Sequence, residues 1–196
     1  YWAALEVVRD EVGQKSDMTS RLARRLRESK ARLDDRGRKP REGAPDLSAL
    51  WAVIDGATNN EPDDVKVAPG SKTTLREQLG KVLGHYNRAS KGGIFAGAAD
   101  LLGSTSVLKV GDGFDKGYWN TTSNPAARII SMGGICEDAM TGILSGLSSF
   151  GRHIGAGSSY GAFVAPLGHI SARLHAIGNQ ARQHLGERPY RPFFLI

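Results

Sequence analysis

The sequence predicts an α/β fold, in which a mostly parallel sheet has helices on both faces and follows a helical connector. Two short apolar runs, at 94–99 and 128–132, have the composition of strands that are buried on both faces. Amphipathic stretches with helical spacing precede the first run, at 72–86, and follow the second from Asp138 onward. Strands that alternate with helices typically build a parallel sheet.

Two segments are distinguished by their patterns: residues 1–70, a helical connector, and residues 71–196, the α/β domain. Apolar residues at helical spacing predict short helices in the connector. Further elements of the domain are predicted at 154–158 (strand), 169–184 (helix) and 191–196 (strand). The chain opens on Tyr1 within a helical pattern and closes on an apolar run. We therefore expect an internal piece of a longer polypeptide, truncated at both ends.

Composition excludes several classes of protein. A hydrophobic fraction of 40% can supply a core, which argues against disorder. The one cysteine, Cys136, cannot form a disulfide within the chain and fits a reducing compartment, so a cytoplasmic location is predicted. The sequence has no apolar run of about 18 residues, and no membrane partner is predicted.

The basic excess is uneven. The net charge is +6, and residues 71–196 carry all of it, with 13 basic and 7 acidic residues. Such an excess suits an anionic ligand. Residues 21–41 hold ten basic and three acidic residues, but no aromatic side chain on which a base could stack. We interpret this run as a solvated helix face and predict no nucleic-acid partner.

Two acidic residues, Asp100 and Glu137, fall just beyond predicted strand ends. Ligands of parallel sheets bind at the carboxyl ends of the strands, so these residues are the first candidates for a site. Glu137 follows two glycines at a strand-to-helix junction. A carboxylate there either serves a ligand or interacts with the helix N-terminus, and spacing alone favours the second interpretation.

No metal site is predicted in this chain. The GDG tripeptide at 111–113 lies in a long polar loop without a preceding buried strand and is interpreted as a turn. No pair of the five histidines has the i, i+4 spacing of a helical metal site.

The stretch 72–173 resembles the central, pyrimidine-binding domain of transketolase-like enzymes. Four motifs occur in the family's order: TLR at 74–76, AGAADL at 96–101, GICEDAM at 134–140 and SYGAF at 159–163. They resemble the family's threonine-arginine start, GGSADL, GIREHAM and TFxxF, respectively. Residues 1–70 then resemble the connector between the family's first domain and this one.

The resemblance implies roles for seven residues. Glu137 would hydrogen-bond a ring nitrogen of the aminopyrimidine of thiamine diphosphate, which requires a buried carboxyl. The other implied contacts are Tyr160 and Phe163 stacked on that ring, Asp100 and Ile135 elsewhere on the cofactor, and Arg76 and Ser104 on the phosphate of a sugar phosphate.

For the whole protein, the resemblance implies transfer of a two-carbon ketol unit between sugar phosphates. The diphosphate, with Mg²⁺ or Ca²⁺, would be held mainly by a domain absent from this chain, and the full-length protein would be a homodimer. The isolated chain is therefore expected neither to bind the cofactor well nor to catalyse.

Two alternatives stay open. Cys136, Asp138 and Pro166 replace the family's usual residues, which favours a catalytically inactive relative that serves as a binding or scaffold subunit. A second alternative is another thiamine-diphosphate enzyme, such as deoxyxylulose-phosphate synthase or a 2-oxoacid dehydrogenase component.

Overall fold

The computed structural model describes residues 1–37, 39–40, 42–54, 61–100, 102–163 and 193–196, together with Ala165, Gly168, Ile170 and Ala172. They form two compact units, Tyr1–Ala44 and Pro45–Ile196. Of the helix predicted at 169–184, only Ile170 and Ala172 are described, so that prediction is left open.

The first unit consists of two helices, α1 (Trp2–Gln14) and α2 (Ser16–Asp35), joined at Lys15. Neither helix buries a residue. Helix α2 is rich in arginine, leucine and alanine, which favour helix, and Lys30 and Asp34 form an i, i+4 ion pair at 2.6 Å. The basic residues of α2 are exposed, as expected of a solvated helix face.

The second unit contains a parallel sheet with strand order β1 (Ile94–Ala98), β2 (Ile154–Ser158) and β3 (Phe194–Leu195). All three strands lie in segments predicted as strands. The register places Ala98 opposite Ser158, so β1 and β2 end at the same edge. The α/β class and the parallel sheet are thereby confirmed.

Helices cover both faces of the sheet. Because side chains alternate along a strand, Ile94 and Ala96 face one core and Phe95 faces the other. The first core is completed by α3 (Ser48–Ile54), α4 (Leu75–Ala89) and a 3-10 helix (Val107–Gly111), and the second by α5 (Glu137–Phe150). Leu47 and Leu50, from the segment predicted as connector, are buried in the first core.

Helix α5 lies directly against β2. A Cβ atom at Gly155 would collide with the backbone carbonyl of Leu144, so only glycine allows this approach. Since α5 ends at Phe150 and a short turn leads into β2 at Ile154, the helix runs antiparallel to the strand. The first residue of α5 therefore lies near the carboxyl end of β2.

The strand predicted at 128–132 is largely absent. Only Ile129 pairs with β1, through a single parallel bridge to Ala96. The carbonyl of Arg128 accepts from the N–H of Ala96 at 3.0 Å, and the N–H of Ile130 donates to the carbonyl of Ala96 at 2.8 Å, which completes this bridge. The side chain of Arg128 makes its own contacts, since its Nε donates to the carbonyl of Gly92 at 3.0 Å and its guanidinium stacks on Phe95. Ser131 and Met132 pair with none of the described strands, and Gly133 has a φ of +74°, in the left-handed region rather than the β region.

A carboxylate links the segment before α4 to that helix. Asp64 Oδ1 lies 2.7 Å from His85 Nδ1, and Asp64 Oδ2 lies 3.1 Å from Arg88 Nη2. The hydrogen bond from His85 holds the pKa of Asp64 below its ordinary value of 3.8, against an opposing effect of desolvation.

Asp64→Asn is expected to lower the free energy of unfolding at neutral pH and to have little effect in acid. A lowered carboxyl pKa contributes stability above its unfolded-state value, and this contribution is lost as pH falls through the folded-state value. Urea unfolding of both proteins at about pH 7 and about pH 3 measures the difference. Asp63→Asn, which breaks a pair with nearby Lys66, is the control. An equal loss at both pH values would contradict the prediction.

Candidate functional site

The candidate site lies at the edge of the sheet where β1 and β2 end and α5 begins. Ser158 is the last residue of β2, and the turn after it carries Ser159, Tyr160 and a short 3-10 helix over Gly161–Phe163. Parallel strands bring such turns together at one edge, which places residues from distant parts of the sequence side by side.

Glu137 is the first residue of α5 and is half-buried. Its Oε1 accepts a hydrogen bond from Ser159 Oγ at 3.1 Å. Within the described part of the chain, Oε2 accepts no hydrogen bond, so this oxygen is available to a ligand.

One expectation for Glu137 is corrected, and the other is compatible with its position in α5. A buried carboxyl was expected, but Glu137 is only half-buried because it starts a helix at the rim of the sheet. The N-cap of α5 is Cys136, which makes no side-chain capping bond, but Glu137 lies in the first turn of the helix, where a carboxylate can interact with the helix N-terminus. The carboxyl of Glu137 also accepts a hydrogen bond from a residue 22 positions away.

Tyr160 and Ser104 also meet at this edge. Their hydroxyl oxygens lie 2.7 Å apart and share a hydrogen bond. The ring of Tyr160 remains 42% exposed, and Phe163, whose backbone N–H donates to the carbonyl of Tyr160 at 2.8 Å, is 51% exposed. Both aromatic residues therefore remain accessible, and Tyr160 directly follows Ser159 in the chain.

The other predicted site residues form no described hydrogen bond or ion pair with Glu137. Exposed Asp100 lines a separate cleft of about 140 Å³, together with residues 130–134. Ile135 is 73% exposed. Arg76, exposed in the first turn of α4, has no described contact with Ser104. Pro166 lies outside the described residues.

Sequence reasoning missed Ser159 as a partner of Glu137. Its only signal was its position directly before Tyr160 in the SYGAF motif. The cleft residues Ser131 and Met132 were missed because that stretch was interpreted as a regular strand, whose side chains would have alternated between the two faces.

Two negative findings complete the description. Among the residues that the structure describes, no group of three or more histidine, cysteine, aspartate and glutamate side chains could hold a metal ion. Nor does this part of the chain contain a helix of the length and apolarity needed to cross a membrane.

Comparisons with known proteins identify no relative. No protein-family model, no curated protein and no solved structure matches the chain.

Proposed function

We propose that this chain supplies the aminopyrimidine side of a thiamine-diphosphate site in a transketolase-like enzyme. When bound, this cofactor supplies the carbanion chemistry that a two-carbon ketol transfer requires. The proposal depends on one observation, the half-buried carboxyl of Glu137 at the carboxyl edge of a parallel sheet, with Oε1 bound by Ser159 and Oε2 available.

The carboxyl has the donor and acceptor arrangement that the role requires. Ser159 donates to one oxygen and so orients the carboxyl plane, which leaves the other oxygen to exchange a proton with a ring nitrogen. A bound heterocycle would remove the remaining water from Glu137.

The aromatic residues that follow Ser159 provide a surface for a flat ring. The hydrogen bond between Tyr160 and Ser104 fixes the hydroxyl end of the tyrosine, which limits the orientations of its exposed ring. Phe163 lies one short turn further along the chain. Stacking on one or both rings would exclude water on one side of the heterocycle.

The proposal also assigns binding roles to Asp100, Ile135, Arg76 and Ser104. Asp100 lines the cleft beside the end of β1, and Ile135 precedes the start of α5, so both are proposed as cofactor contacts. Arg76 is proposed to bind the phosphate of the sugar with Ser104. Helix α4 leads by a short turn into β1, so the helix runs antiparallel to the strand. The first turn of α4, which carries Arg76, is therefore at the edge of the sheet where β1 ends and the candidate site lies.

The test is ketol transfer by the protein that contains this chain, with a ketose phosphate as donor and an aldose phosphate as acceptor. We expect turnover that depends on added thiamine diphosphate and Mg²⁺. Absence of transfer with both present would contradict the enzyme proposal and favour the inactive scaffold subunit.

The isolated chain is expected to bind thiamine diphosphate only weakly, with a free energy of about −4 kcal/mol, or millimolar affinity. The cleft beside Asp100 measures about 140 Å³, whereas ligand pockets are typically about 300–1,000 Å³. Isothermal titration calorimetry of the 196-residue chain with the cofactor and Mg²⁺ measures the affinity. Micromolar binding would contradict the proposal that other domains hold most of the cofactor.

A further inference from the structure

A second concave surface lies beside the 3-10 helix at Val107–Gly111 and shares Leu102 and Tyr118 with the cleft beside Asp100. We call it the Tyr118 groove and define it by Leu102, Leu108, Asp112, Asp115, Tyr118 and Ile129. Its volume is about 450 Å³, within the range of about 300–1,000 Å³ that is typical of small-molecule sites. Glu137, Ser159 and Tyr160 are not among the residues that line it.

The loop that forms the groove is held in place by its own hydrogen bonds. Asn124 Nδ2 donates to the carbonyls of Lys116 and Tyr118, at 2.9 and 3.1 Å. The backbone N–H of Trp119 donates to the carbonyl of Ile129 at 2.6 Å, which ties the loop to the segment beside β1. A ligand would therefore find a preformed surface and would not have to order the loop.

The groove combines an apolar base with unpaired charge. Leu102, Leu108 and Ile129 provide aliphatic surface. Within the described part of the chain, the carboxylates of Asp112 and Asp115 form neither a hydrogen bond nor an ion pair. With Lys116, which also lines the groove, the local charge is two negative and one positive, or −1, although the chain as a whole carries +6.

We propose that the Tyr118 groove binds a small organic cation, an amine attached to an aromatic or aliphatic body. The two carboxylates would accept charge-assisted hydrogen bonds from the ammonium group. The ring of Tyr118, which is 54% exposed, would attract the same cation through its face. The aliphatic side chains would cover the apolar body. An anionic ligand would meet one lysine and two carboxylates, which disfavours it.

The test uses three probes of one shape and different charge: 2-phenylethylamine, 2-phenylethanol and phenylacetate. Each is titrated into the 196-residue chain while the backbone amide signals of residues 111–118 are followed by NMR. We expect saturable shifts confined to the groove with the amine, and at least about threefold weaker binding of the alcohol and the acid. Equal or tighter binding of phenylacetate, or shifts that do not saturate with the amine, would overturn the proposal.

The double variant Asp112→Asn/Asp115→Asn is expected to weaken amine binding by about threefold or more. The control is Asp17→Asn/Asp35→Asn, which makes the same change in net charge on α2 and is expected to leave the affinity unchanged. If the first variant does not fold, raising the salt concentration of the wild type from about 0.05 to 0.5 M provides a second test. The amine should then bind more weakly and the alcohol should not. Unchanged amine affinity in the folded variant, or in high salt, would overturn the proposal.

Discussion

Glu137→Gln is expected to reduce turnover in the proposed ketol-transfer reaction by about 10²–10⁴-fold, the usual contribution of a positioned acid or base. Glutamine has nearly the same shape, and its carbonyl oxygen can still accept the hydrogen bond from Ser159. What it loses is the titratable proton. Because the side chain is half-buried and keeps its partner, the free energy of unfolding should change by no more than about 1 kcal/mol.

Asp138→Asn is the matched control for this variant. Asp138 is the next residue of α5 and is exposed, so the substitution removes a negative charge from the same helix terminus. If the effect of Glu137 came only from its interaction with the helix dipole, the two variants would lose similar activity. Full turnover in Glu137→Gln, or a loss that merely follows unfolding, would contradict the catalytic role.

Ser159→Ala separates orientation of the carboxyl from its acidity. The variant keeps Glu137 but removes the hydroxyl that fixes Oε1. We expect a turnover loss that is smaller than that of Glu137→Gln, because the acid remains but Ser159 no longer fixes its orientation. Full turnover in Ser159→Ala would show that Ser159 does not position the acid.

The main elements of the second unit could be predicted because buried strands and helices have characteristic spacings of apolar residues in the sequence. Residues 94–98 are apolar without interruption, as a strand covered on both faces must be. Helix α4 shows the 3.6-residue spacing of one apolar face, and Thr74 caps it by accepting from the backbone N–H of Glu77 at 3.2 Å. Each of these signals lies within one short segment and can therefore be recognised from the sequence alone.

The segment at 128–132 also carries large apolar residues, Ile129, Ile130 and Met132, but only one of its residues pairs with β1. The difference arises from contacts that the sequence does not display. Arg128 stacks on Phe95 and also on Phe114, 33 and 14 positions away, and Gly133 turns the chain out of the sheet. The Ser159–Glu137 bond is of the same kind, since it depends on which strand end meets which helix start. Patterns along the chain predict elements, whereas the site depends on how the elements meet.

Asn87 illustrates how a single buried polar residue can join three elements. It lies in α4 and is fully buried. Its Nδ2 donates to the carbonyl of Val110 at 2.6 Å, and its Oδ1 accepts from the backbone N–H of Ile94 at 2.7 Å. One side chain thus provides hydrogen-bond partners for a backbone carbonyl near the end of the 3-10 helix at Val107–Gly111 and for the first backbone N–H of β1. No local pattern in the sequence distinguishes it from an exposed asparagine.

Asn87→Ala is expected to lower the free energy of unfolding by about 3–5 kcal/mol, because it leaves a buried N–H and a buried carbonyl unpaired beside a cavity. Urea denaturation followed by circular dichroism measures the loss. Lys81→Ala is the control within the same helix, since it removes only a surface pair with Glu77 and should cost no more than about 0.5 kcal/mol. A similar cost for both variants would show that the two buried bonds contribute little.

Asn87→Asp tests the direction of each hydrogen bond. The new carboxylate could still accept from Ile94, but it would place a negative oxygen against the carbonyl of Val110, which only a donor can satisfy. Burial and this repulsion should raise the folded-state pKa of the new carboxyl above its unfolded value of about 3.9, since the protonated form can donate to Val110. A raised pKa stabilises the fold in acid, and this contribution is lost as pH rises through the folded-state value. The deficit in unfolding free energy relative to wild type should therefore be smaller at about pH 4 than at about pH 7. A deficit that does not change with pH would mean that the side chain at position 87 is not held against the carbonyl of Val110.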